Sequence, residues 1–113
     1  MEKGLETATL NLVRAIGQSE VYKQYEACAK NLDQFPGVLE KIAEFRRATI
    51  AQYHNPDNSD LLGSSDKILE DYSEIQKIPE VNAFLEAEDA LVRALQQINS
   101  QIAGAVDMKV PNL

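Results

Sequence analysis

His54 is the one histidine of the chain, and it stands beside a turn-rich run with Asp57 and Asp60 close by in sequence. An imidazole near carboxylates can serve as a general base or a metal ligand. Nothing else in the sequence completes that chemistry. No Ser–His–acid set is identifiable, and a lone histidine makes no strong metal site. His54 therefore reads as a loop surface residue. Asn55, Asp57 and Ser59 place oxygens at alternate residues, as a calcium-binding loop does. Such a loop needs glycine at its sixth position and a bidentate glutamate at its twelfth. Here Asp60 and Asp66 stand there and Pro56 intrudes, so no calcium site is expected.

The other reactive side chains also fall short. Glu70, Asp71 and Glu74 form one acidic cluster, and Glu86, Glu88 and Asp89 another. Helical carboxylates hold di-iron centres when Glu-x-x-His pairs join them, and no such pair exists here. These clusters read as solvated faces. Cys28 is the one cysteine, which excludes an intramolecular disulfide and a cysteine-rich metal site. It falls on or beside an apolar helical face, where a buried, inert thiol is expected. Tyr22, Tyr25, Tyr53 and Tyr72 could form an aromatic platform, but at helical spacing they read as core-edge residues whose hydroxyls reach water. Neither Gly37 nor Gly63 has the spacing of a phosphate loop. No catalytic residue, metal or cofactor is expected.

Composition narrows the partners. The 113 residues carry a net charge of −7, with 44% hydrophobic and 26% charged residues. That suits one modest globular domain over residues 1–113, small enough that burial against a second copy would help. The acidic balance argues against nucleic acid or an anionic membrane as main partner. Lys30, Lys41, Arg46 and Arg47 are diluted by Glu40 and Glu44, so they form a mixed, solvated face. The opening run "MEKGLETATL" has no apolar h-region, and no apolar run approaches the roughly 18 residues of a membrane span. A cytoplasmic protein is expected.

The elements that would position these residues are all helical. Leu5, Ala8, Leu12 and Ile16, with Val13 beside them, step by three and four as an amphipathic helix does. Gly17 weakens that helix and Ser19 can cap a second one, with Glu20 in its first turn. The second carries Tyr22, Tyr25, Cys28 or Ala29, and Leu32. Pro36 then forces a corner, being tolerated in a first turn but not inside a helix, and Asp33 is a candidate cap. The third helix shows Val38, Leu39, Ile42, Phe45 and Ile50 or Tyr53 on one side.

Residues 54–65, "HNPDNSDLLGSS", read as a loop dividing the chain into two helical halves. Ser64 or Ser65 can cap a fourth helix with Ile68, Leu69, Tyr72 and Ile75 on one face. Pro79 repeats the corner and opens the longest helix, to about Ala103. Its stripe is Val81, Phe84 and Leu85, then Leu91, Leu95, Ile98, Ile102 and Ala105. The last five step four, three, four, three, a short heptad-like seam interrupted at Glu88. Residues 106–113 read as a frayed tail. The fold class is all-α, with about five helices. What survives as a functional candidate is an apolar face: Leu91, Leu95, Ile98 and Ile102 serve either the internal core or an oligomer or partner contact.

The ordered set Ala15, Ile16, Ser19, Tyr22, Tyr25, Leu32, Pro36, Ile42 and Phe45, with "PEVNAFLEAEDALVRALQQINSQI" closing the chain, resembles the YlbF/YmcA family of small bacterial proteins. The resemblance covers roughly residues 5–105. It implies an all-helical fold, self-association and no known catalysis. Its best-known members regulate competence, sporulation and biofilm development in complexes with one another and an unrelated partner, influencing RNA processing through ribonuclease Y. Some hold iron–sulfur clusters through cysteines; Cys28 alone cannot hold one.

The expectation is thus a non-enzymatic adaptor that binds proteins. Its partners would be itself, first of all as a dimer, and family paralogues or an RNA-processing complex, without direct nucleic-acid, membrane or small-molecule binding. Two alternatives stand beside it. One is an enzyme or small-ligand carrier built on His54 and nearby carboxylates. The other is a purely structural homo-oligomer.

Overall fold

The computed structural model describes residues 1–54 and 59–106, with backbone alone at 52–54 and 59–65. Among the described residues there are five α-helices and no strand: α1 (Lys3–Gly17), α2 (Glu20–Asn31), α3 (Val38–His54), α4 (Ser59–Ile75) and α5 (Pro79–Ala105). A 3-10 turn, Leu32–Gln34, follows α2. The all-α fold class is what the apolar periodicity predicts.

The helix ends follow local chemistry. α1 stops at Gly17, and Ser19 caps α2: its hydroxyl donates to the Ile16 carbonyl and accepts the Tyr22 amide at 3.3 Å. One side chain thus serves a carbonyl of the ending helix and an amide of the starting one. Pro79 is the first residue of α5, where its missing amide hydrogen costs nothing, and Glu80 follows in the favourable first turn. The Asn82 side-chain amide donates to the Gln76 carbonyl at 2.8 Å and fixes that corner.

Two boundaries differ from the sequence reading. Pro36 is not in the first turn of α3 but precedes it, within the corner after the 3-10 turn. Between Pro36 and Val38, Gly37 takes φ 87°, a left-handed conformation that breaks the backbone path before the helix begins. The second difference is larger. α4 begins at Ser59, not at Ser64 or Ser65, so much of the expected 54–65 loop is helix. Ser59 suits a helix start, and a single interior glycine such as Gly63 costs only about 1 kcal/mol, too little to halt a helix whose later turns pack. Residues 55–58, with Asn55 and Asp57, and the tail residues 107–113 lie outside the described residues.

The chain's contacts group it into two compact units, Met1–Ala27 with Glu86–Leu113, and Cys28–Leu85. The Cys28–Leu85 unit holds most of the buried core: Cys28, Leu32, Val38, Ile42, Ile75, Val81 and Phe84. Val81 is wholly buried, at 0% exposure. α3 and α4 pack along each other, and the Phe45 and Tyr72 rings stack with centroids 3.9 Å apart and planes 5° from parallel. Leu39, Ile50 and Leu69, read from the sequence as part of the inward stripes, are exposed. Leu39 and Leu69 each follow a better-placed neighbour, Val38 and Ile68, by one residue. That turns them about 100° around the helix.

The other unit contrasts with this. Ala87 is its buried hydrophobic residue, and α1 has no buried residue at all. Its apolar stripe is present but is left open.

Candidate functional site

The chemistry-bearing residues do not assemble. Among the described residues, no three His, Cys, Asp or Glu side chains converge to hold a metal ion. His54 ends α3 with its side chain outside the described set, as are Asp57 and the Asp60 side chain. Cys28 is buried. Glu70, Glu74, Glu86 and Asp89 are exposed, and Asp71 and Glu88 half-buried. Several acids sit in surface ion pairs: Glu74 with Lys77 at 3.1 Å, Asp89 with Arg93 at 3.0 Å, and Glu40 with Arg47 at 3.1 Å. Such exposed pairs contribute little to stability. Tyr22 and Tyr25 lie with ring centroids 6.3 Å apart, both half-buried, and Tyr72 is taken up by Phe45.

What does assemble is an apolar groove within the unit formed by Met1–Ala27 and Glu86–Leu113. It has a volume of 210 Å³. One wall is Leu12, Ala15 and Ile16 of α1 with Val21 of α2; the other is Leu91, Ala94, Leu95 and Ile98 of α5. Ser19 is the polar residue of the lining, and its hydroxyl is already engaged by Ile16 and Tyr22. The groove therefore presents nothing that would orient a polar substrate, whereas small-molecule sites pair apolar walls with placed polar groups. It can take up apolar side chains.

Three of the four face residues named from the sequence, Leu91, Leu95 and Ile98, line this groove. Ile102 lies one turn further along α5 and is 51% exposed. The wall supplied by α1 and Val21 is the part that sequence reasoning missed as a site. Its signal was present: residues 7–19 carry one charged residue, Arg14, and residues 90–106 carry one, Arg93. The two matched stretches of low charge belong to the two sides of one groove.

A second hollow, of 250 Å³, lies at the corner between α2 and α3 and is lined by Leu32, Asp33, Phe35, Pro36, Gly37, Leu39 and Glu40. Its lining includes the left-handed Gly37 and two carboxylates, Asp33 and Glu40.

No helix among the described residues is long and apolar enough to cross a membrane. A family model described as control of competence regulator ComK, YlbF/YmcA, matches residues 5–107. The match spans almost the whole chain, and the chain belongs to that family, a regulatory one. No curated protein and no solved structure gives a match.

Proposed function

We propose that this member of the YlbF/YmcA family is a non-enzymatic adaptor that regulates by binding other proteins in the cytoplasm. The observation that carries the proposal is the open apolar groove of α1, α2 and α5, whose lining offers no unengaged polar group. An exposed apolar surface of this kind marks a protein contact. The working face is Leu91, Leu95 and Ile98, continued by Ile102. Family membership supports a regulatory outcome. The partners proposed are a second copy of the chain and either family paralogues or an RNA-processing complex of the kind the family resemblance implies.

The test is capture of the tagged full chain from its host's cytosol, with mass spectrometry of what is retained. Leu95→Asp and Ile98→Asp are compared with the natural sequence, after circular dichroism shows that both remain helical. Retention of a family relative or a ribonuclease, lost in both variants, is the expected result. Recovery of the chain alone, or of the same proteins with and without the substitutions, overturns the proposal. Recovery of the chain alone favours instead a purely structural homo-oligomer.

A further inference from the structure

We infer that α1 is a strap: anchored at its C-terminal end, it lifts readily in the unoccupied chain and is ordered by closing on the protein seated in the groove. The inference rests on the protein-binding function proposed above and adds how that site is made and regulated.

The anchorage of α1 is one-sided. Of its 15 residues, Ile16 alone is half-buried and the others are exposed. At 1.5 Å per residue the helix is about 22 Å long, and Ile16 sits one residue from its C-terminal end. Beside it, Ser19 donates to the Ile16 carbonyl and accepts the Tyr22 amide, so that end stays tied to α2. The other end is open: Leu5 is 58% exposed and Leu10 51%. The facing wall is held differently. Val81 and Phe84 bury the first turns of α5 within the Cys28–Leu85 unit. Among the described residues, α3 and α4 are the one helix pair in extended contact. α5 is therefore the fixed wall of the groove and α1 the movable one.

Helix physics sets the consequence. An isolated helix of about 12–15 residues is marginal in water, and most helical stability in proteins comes from packing an apolar face. α1 packs through one half-buried side chain. Lifting it uncovers little apolar surface, whereas opening α3 or α4 uncovers Ile42 and Ile75, buried at 3% and 5% exposure. Yet α1 carries an apolar stripe suited to closing. A protein seated in the groove meets Leu12 and Ile16 on one side and Leu91, Leu95 and Ile98 on the other. Occupancy thus supplies the packing that α1 lacks, and order in α1 reports occupancy. Part of the interaction energy goes into that ordering, which keeps affinity moderate and binding reversible.

Hydrogen–deuterium exchange of the full chain, diluted until rates no longer depend on concentration, tests this. Amides in residues 7–16 should be at least about 100-fold less protected than those in residues 42–50 and 68–75. Ala15→Leu enlarges the α1 wall of the groove with little change in helix propensity. It should slow exchange across 7–16 about five- to tenfold, the effect of burying one to two of its added carbons, and leave 42–50 unchanged. Leu95→Ala, on the facing wall, should remove the remaining protection from 7–16. An α1 as protected as α3 overturns the inference, as does exchange in 7–16 that is indifferent to both variants. An α1 as protected as α3 in a chain that still captures a family relative through Leu95 and Ile98 overturns this inference and leaves the proposed function standing. A lightly protected α1 that responds to both variants, in a chain that captures nothing, supports the strap and sinks the proposed function.

Discussion

Gly37→Ala isolates the cost of one backbone conformation. Gly37 holds φ 87°, and a Cβ built on it meets no atom within 4 Å. The penalty is therefore conformational, with no steric clash added. An L-residue in the left-handed region costs about 1–2 kcal/mol. Alanine also restricts the unfolded chain, which returns about 0.4–1 kcal/mol. The net loss should be about 1 kcal/mol, equivalent to a fall of about 3–6 °C in Tm for a domain of this size. Gly37→Asn should lose less, because asparagine visits this region more readily than alanine. Gly104→Ala supplies the opposite sign. Gly104 lies in the last turn of α5 with equally open space at Cβ, so alanine should stabilise by no more than about 0.5 kcal/mol. Urea unfolding followed by far-ultraviolet circular dichroism measures all three. Gly37→Ala at or above natural stability would refute the left-handed corner. A loss beyond about 3 kcal/mol would refute the open space around it.

The remaining expectations concern the core and its thiol. Ile42→Ala should lose about 2–5 kcal/mol, because Ile42 is buried at 3% exposure, whereas Leu69→Ala, at 54%, should change stability by less than about 0.5 kcal/mol; urea unfolding of both variants checks the contrast. Cys28 should resist a thiol reagent in the folded chain and react completely in denaturant, because its sulfur is enclosed in the core; prompt reaction under native conditions would contradict that placement.

Much of this architecture is legible in the residues. The stripes of α1, α2 and α5 and the stops at Gly17 and Pro79 follow from spacing and backbone chemistry, which act locally. The start of α4 was hidden because turn formers crowd residues 54–65, and composition outweighs period over so short a run. The position of Pro36 was hidden because proline fits either a first turn or the corner before it. Only the left-handed Gly37 separates the two. Exposure of Leu39, Ile50 and Leu69 was beyond reach of periodicity, since it depends on which neighbouring helix covers each flank. The site was half visible. Leu91, Leu95 and Ile98 stood out by their seam, while their counterparts Leu12 and Ile16 looked like one more core stripe until α1 proved to bury none of its residues.

Hydrogen–deuterium exchange of the full chain across a range of protein concentrations tests the central claim at its first proposed partner, that the α1–α5 face is covered by a second copy of the chain. Amide protection in residues 5–19 and 91–105 should rise with concentration, while protection in residues 38–50 and 68–75 should stay constant. Concentration-independent exchange throughout, or a rise confined to α3 and α4, would contradict it.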